Sequence, residues 1–292
     1  WSIHTLLPKT EYGLDQYGAN TELGSGEMRL RELTGAPILD WPIELPVRDP
    51  RGIFSAEKFE CWKKASDSRK GVAGYYFSLK AHGQVALHSH LEARLLAYFE
   101  MCPFVVEIRT QYPQWDRDAF LAYCREGRLF VRKELMTIDF MLTLRIPGIP
   151  YRVYHGVSGK PFAQLELEPV KRRHKREADG LWKWGCTHEV MTEKTLSDIE
   201  YESYLRMFTH MGQVENEELG RLVGSAAKMA SSLLATEARG DARRVVTMVG
   251  KRLGWDSNTS FRLLAIALFL GYLKWDTKHL YSPAKPLMFM RT

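Results

Sequence analysis

From residue 88 onward the chain alternates short apolar runs with clear punctuation, and the spacing of those runs changes character several times. Ser89-His90-Leu91-Glu92, followed by apolar residues at helical spacing, predicts a helix to about Met101, ended by Pro103. Residues 104–110 alternate between apolar and polar and predict a strand. Residues 115–127 read as a loop with a short helix, and 130–145 carry strand signals around Asp139. Ile146-Pro147-Gly148-Ile149-Pro150 punctuates the chain there. A further strand is predicted over 162–168, closed by Pro169, then a helix over 170–183 and a strand over 186–191. The order helix, strand, strand, strand, helix, strand describes a mixed α/β layer.

The flanks read differently. Residues 1–70 hold five of the thirteen prolines (8, 37, 42, 46 and 50) and predict an irregular arm with short extended pieces. Gly24-Ser25-Gly26 has no strand-then-helix context, which argues against a phosphate loop. Residues 75–79 predict a strand with a turn near Gly83. Residues 196–292 turn helical. Ser197-Asp198-Ile199-Glu200 is a capping box, opening a helix with Tyr201, Tyr204, Leu205 and Phe208 on one face. More helices are predicted at 216–238, 241–253 and 258–273, then a hairpin turning at Pro283-Ala284-Lys285-Pro286. Helices followed by a terminal hairpin suggest a winged helix. The expected organisation is an arm (1–70), an α/β domain (71–195) and a helical, winged-helix-like domain (196–292).

Composition adds little to this picture, but charge distribution adds something. The 292 residues include 45% apolar and 12% aromatic positions, ordinary for a chain that buries real cores. Lys and Arg number 41 against 35 Asp and Glu, a moderate excess of +6. Part of it is concentrated in Lys171-Arg172-Arg173-His174-Lys175-Arg176. Such a run is ordinarily a solvated helix face; directly after a pair of glutamates it also suits a phosphate clamp, with Lys171, Arg172, Arg173, Lys175 and Arg176 as DNA contacts. Arg243, Arg244, Lys251 and Arg252 form a second basic region, read as solvated charge or a DNA contact. Cys61, Cys102, Cys124 and Cys186 lack paired spacing, which fits a reduced cytoplasmic protein. The longest apolar stretch, 261–273, contains Arg262 and is too short to span a bilayer, and no secretory signal opens the chain.

Four carboxylates carry the candidate chemistry: Glu92 at a helix start, Asp139 between Ile138 and Phe140, and Glu166 and Glu168 two residues apart. On the predicted strand over 162–168, Glu166 and Glu168 share a face. Each has a bland reading. Glu92 fits a capping box, and the glutamate pair fits the polar side of a half-exposed strand. Asp139 is harder to dismiss, because an acid in an apolar strand needs a compensating partner. Clustered acids at a sheet rim are tolerated when protonated, paired or bridged by a hard cation such as Mg²⁺. A zinc site from His88 and His90 with Cys102 or Cys186 would require a convergence that the spacing does not indicate.

Taken in order, Ser89-x-Leu91-Glu92, Glu107-Ile108-Arg109-x-Gln111-Tyr112-Pro113, Met136-Thr137-x-Asp139-Phe140, Glu166-x-Glu168-Pro169 and Glu189-Val190-Met191-Thr192-Glu193 resemble the TnsA family, the endonuclease subunits of heteromeric bacterial transposases. The resemblance covers about residues 75–193. It implies a restriction-endonuclease-like fold and a bacterial cytoplasmic enzyme dependent on Mg²⁺, with Mn²⁺ as a substitute. That enzyme cuts the 5′ ends of transposon double-stranded DNA. It also implies a TnsB-type transposase for the 3′ ends and a TnsC-type AAA+ ATPase bound to the C-terminal domain. By position, Glu92 and Asp139 match the family's metal-site acids, and Glu166 falls where the family has an acid or amide. Glu168 departs, standing where the family has lysine, and is expected to act as general base or second-ion ligand. Two other readings remain: a TnsA-like adaptor that binds DNA without cutting, and a stand-alone restriction or repair nuclease.

Overall fold

The computed structural model describes residues 28–49, 51–67, 73–114, 122, 126, 135–212 and 214–290. Gly24-Ser25-Gly26, Cys124 and nearly all of the loop expected over 115–127 lie outside the described residues. The fold is mixed α/β, with a four-stranded mixed sheet, a two-stranded sheet and six α-helices among the described residues. The chain divides into two compact units. The first comprises Trp1–Gly35, Leu45–Leu95 and Val105–Thr195; the second comprises Ala36–Glu44, Leu96–Phe104 and Leu196–Thr292.

In the first unit, β1 (Gly74–Ser78) and β2 (Gly83–Leu87) form an antiparallel hairpin. The helix α1 (His90–Met101) starts three residues further on. β3 (Val105–Gln114), β4 (Met136–Leu144) and β5 (Val153–Gly159) are antiparallel neighbours in the order β3-β4-β5. The helix α2 (Glu168–Trp182) then leads to β6 (Thr187–Met191), which lies parallel to β5. A parallel pair needs a crossover rather than a tight turn, and α2 supplies it. Residues three apart on a strand face opposite sides. A Cβ on Gly159 would sit 3.3 Å from Leu95 Cδ1 of α1, whereas one on Gly156 would sit 2.5 Å from Leu181 Cδ1 of α2. The sheet is therefore covered on both faces, and β3 is buried along its whole length.

The third strand of the sheet is not the one expected. It is Val153–Gly159, whereas 162–168 holds a 3-10 turn (Phe162–Gln164) and the first residue of α2. The physical reason is proline. Pro169 sits in the first turn of α2, where its missing N–H and fixed φ favour helix initiation. The apolar residues around the glutamates do not face a core: Phe162 is 47% and Leu167 53% exposed. The β-branched and aromatic content of Val153-Tyr154-His155-Gly156-Val157 was the stronger strand signal, obscured by two glycines that the close helix approach requires.

Part of the proline-rich arm is built into this unit. Ile53 joins a buried cluster with Tyr112, Leu135, Ile138, Met141, Tyr154, Leu181, Trp184 and Cys186, against which Phe59 and Trp62 pack. Beside it, the fully buried Arg109 donates to Asp49 Oδ2 at 2.8 Å, and the Tyr112 hydroxyl donates to the same oxygen. Arg51 lies over the rings of Tyr112 and Trp184 and donates to the Pro113 carbonyl at 3.1 Å. Removing one partner of such a buried pair costs about 3–5 kcal/mol, because the other charge is left stranded.

In the second unit, α3 (Asp198–Met211) is capped by Ser197, whose hydroxyl accepts from Glu200 N. Its buried face is Glu200, Ser203, Tyr204, Met207 and Met211, one step round from the expected stripe, and Leu205 is 44% exposed. α4 (Asn216–Ala235), α5 (Ala242–Arg252) and α6 (Ser257–Phe269) follow, the last two capped by Asp241 and Asp256. α6 is buried at Ser260, Phe261 and throughout Leu263–Phe269, so it forms the centre of this helical core. Where a C-terminal hairpin was expected, the described residues show a single isolated antiparallel bridge. Trp275 bridges Phe289, with Asp276 N donating to Met288 O and Met290 N to Lys274 O, both at 2.8 Å. No helix among the described residues is long and apolar enough to cross a membrane.

Candidate active site

The start of α1 is a working cap. Ser89 Oγ accepts from Glu92 N at 3.2 Å and donates to Glu92 Oε1 at 3.0 Å, while His88 N donates to Glu92 Oε2 at 2.9 Å. The capping reading of Glu92 is therefore correct, yet incomplete. Glu92 is only 6% exposed, and burial, followed by the negative charge of Asp139, raises its carboxyl to about 7. An ordinary cap on a surface helix has neither the desolvation nor the neighbouring acid.

Asp139 approaches from β4, placed by the strand register. Thr110 pairs with Phe140 and Tyr112 with Ile138, which sets Gln111 opposite Asp139. Gln111 adopts φ +49°, an uncommon conformation for a residue with a side chain. Its amide donates to Glu92 Oε2 at 3.2 Å and its oxygen accepts from Thr137 Oγ1 at 3.3 Å. Asp139 Oδ2 accepts from Gly159 N at 2.8 Å, and Lys160 Nζ lies 3.6 Å from the same oxygen. A Cβ at position 159 would lie 3.7 Å from Asp139 Oδ2 and 3.3 Å from Leu95, so glycine lets β5 come this close. The end of the sheet thus brings together Glu92, Gln111, Asp139 and Lys160.

Glu166 and Glu168 are elsewhere in character. Their side chains are 88% and 76% exposed, and Lys171 Nζ lies 2.7 Å from Glu166 Oε2 and 3.9 Å from Glu168 Oε1. The Lys171 ammonium holds the Glu166 carboxyl below its usual range. They share no strand face, because residues 162–168 form a 3-10 turn and a helix start and not a strand. The expected basic clamp is also thinned by pairing. Lys171 serves Glu166, Arg173 donates to Glu177 at 2.7 Å, and Lys175 to Asp179 at 2.7 Å. Arg172 and Arg176, one helical turn apart, remain exposed on α2.

Two site residues escaped the sequence reading. Lys160 was legible only once β5 was placed correctly, as a lysine at the end of a strand neighbouring the one that holds Asp139. Gln111 lay inside a motif already noted, Arg109-x-Gln111-Tyr112, but its side-chain role depends on a backbone kink that no spacing announces.

The donor chemistry suits a hard cation. Glu92 and Asp139 offer carboxylate oxygens, and Mg²⁺ is commonly held by one or two protein carboxylates with water completing its shell; the Gln111 oxygen is turned to Thr137. Among the described residues no three His, Cys, Asp or Glu side chains converge as a metal-binding group, for Mg²⁺ or for zinc. Scans against protein-family models and against curated proteins find no match to this chain.

Proposed function

We propose that this protein is a metal-dependent DNA endonuclease subunit of the TnsA type, cutting the 5′ ends of a transposon. The observation that carries this reading is the buried Glu92 beside the half-buried Asp139, with Lys160 at the adjoining strand end. A desolvated glutamate beside a second acid holds a site ready for positive charge. The order α1-β3-β4-β5-α2-β6 supports a restriction-endonuclease-like core, and Lys160, at the end of β5 beside Asp139, is the lysine we propose for the role that the resemblance gives to a lysine at position 168. The capped helices α5 and α6 with the terminal bridge support a winged-helix-like second unit, the proposed contact for DNA or a TnsC-type ATPase.

Asp139 and Glu92 would hold the divalent ion, Mg²⁺ or Mn²⁺, which when bound neutralises phosphate charge and makes a coordinated water more acidic. Water adds to phosphorus and releases a proton to solvent, and the bond from phosphorus to the leaving oxygen breaks, that oxygen taking up a proton from solvent. Lys160 Nζ offers a proton and a positive charge where negative charge develops on the phosphate oxygens. Gln111 and the helix start fix Glu92, so the carboxylates need little rearrangement. Arg172 and Arg176 contact the DNA backbone without reading bases.

A non-cutting adaptor is favoured by one observation, the partial neutralisation of Asp139 by Lys160. Metal binding separates the two readings. The purified chain, alone and with a TnsB-type partner, is assayed for Mn²⁺ uptake and for release of 5′ ends in Mg²⁺. A cutting subunit binds Mn²⁺ and loses cleavage on Asp139→Ala; cleavage at wild-type rates in Asp139→Ala rules the assignment out. Efficient cutting by the chain alone would point instead to a stand-alone nuclease.

A further inference from the structure

Behind the candidate site, on the α2 side of the sheet, lies a buried polar unit that the proposed chemistry does not use. Glu177 of α2 is fully buried and stays ionised, its carboxyl pushed down to about 2 despite burial by donors around it. Arg173 Nε donates to Oε1 at 2.7 Å, Ser158 Oγ donates to Oε2 at 2.8 Å, and His188 Nε2 lies 3.6 Å from Oε2. The other end of Arg173 reaches the Thr137 carbonyl at 3.4 Å. The unit therefore grips two strands at matching points: Thr137 stands two residues before Asp139, and Ser158 two residues before Lys160. α2 can come close enough to do this because its own Gly180 lies against Gln114, where a Cβ would be 2.8 Å from Nε2. Gln114 in turn donates to the Glu177 carbonyl at 2.6 Å.

We infer that Glu177 is a positioning residue, which through Ser158 and Arg173 sets the separation of Lys160 from Asp139. A purely architectural ion pair would have no reason to hold the two strands at the same offset from the two reactive side chains. Buried charges are costly, and one fully satisfied by donors from two strands and a helix fixes geometry more sharply than apolar packing does. This inference rests on the nuclease reading for its meaning, but its first test does not need cutting.

The test compares the full-length wild type with Glu177→Gln and Ser158→Ala, and with Glu189→Gln as a control on the opposite face of the sheet. The first readout is the rate of Lys160 acylation by a water-soluble succinimidyl ester, followed by peptide mass spectrometry. Lys160 is 18% exposed and held by Asp139, so loosening its strand should speed acylation in both variants and leave the control unchanged. The second is DNA cleavage in Mg²⁺, where kcat should fall about 10²-fold with KM unchanged, as expected for a displacement near 1 Å. If Glu177→Gln fails to fold, Ser158→Ala, which loses only a hydroxyl, carries both readouts. Unchanged Lys160 reactivity in the folded variants overturns the inference, even if cutting falls. A wild type that neither cuts nor binds Mn²⁺ removes the nuclease reading, and Lys160 reactivity still decides the positioning role.

Discussion

Two pairs of acids, similar on paper, meet opposite fates in this molecule. Glu166 and Glu168 sit among leucines but project into water, where one lysine answers both. Glu92 and Asp139 sit 47 positions apart in the chain (139 − 92) yet share a buried corner in which Glu92 holds its proton up to about 7. The difference lies in what surrounds each pair, not in the residues themselves. An exposed acid is hydrated and screened, so its neighbours hardly matter; a buried one feels every nearby charge. Proximity in sequence is a poor guide to chemistry, and shared desolvation a better one.

The sharpest way to break this comparison is to swap the pairs' importance. Asp139→Ala should abolish Mg²⁺-dependent cleavage, while the double variant Glu166→Ala with Glu168→Ala should cut at close to the wild-type rate; cleavage assays on both decide it. Lys160→Ala comes next, with an expected loss of about 10²–10³-fold in kcat, the usual effect of removing one donor to developing charge. A Glu168→Lys variant should not rescue it, since position 168 is exposed at the start of α2.

A third experiment uses pH. Glu92 binds its proton more tightly in the native state than its ordinary value of 4.5 would allow. Stability from this group is therefore complete below about pH 4.5 and declines as pH rises through about 7. Glu92→Gln removes the decline. A glutamine fits the donors: its oxygen can accept from His88 N and Gln111, and its amide can donate to Ser89 Oγ. Without divalent ions the variant should be more stable than wild type above pH 7, by on the order of 1–3 kcal/mol. Urea denaturation from pH 5 to 8 measures this, and added Mg²⁺ should close the gap by stabilising only the wild type. The smallest expected effect is on melting temperature in Glu166→Ala, which should not move measurably in a thermal scan.

Much of the fold was legible because its signals are local. The cap at Ser89, the stop at Pro103, the alternation in β3 and the cap at Ser197 each announce themselves within four or five residues. Of the candidate site, Glu92 and Asp139 could be read, because a helix-start acid and an acid in an apolar strand stand out singly. Their companions could not. The third strand was misplaced because Gly156 and Gly159 weaken the pattern of β5, while Leu165 and Leu167 imitate alternation in a segment that Pro169 turns into a helix start. That single slip kept Lys160, which lies beside Asp139, out of view. Glu177 was hidden for another reason: within a basic run it reads as one more surface charge, and only the packing of α2 turns it inward.

Gln111 carries a consequence of its own. A left-handed residue bearing a full side chain is disfavoured by roughly 1–2 kcal/mol, and glycine would remove that burden at once. Gln111→Gly should therefore relax the main chain while removing one of the three hydrogen bonds that hold the Glu92 carboxylate. A protein that grows sturdier as its acid corner loosens would reveal how much discomfort this strand endures to keep one carboxylate still.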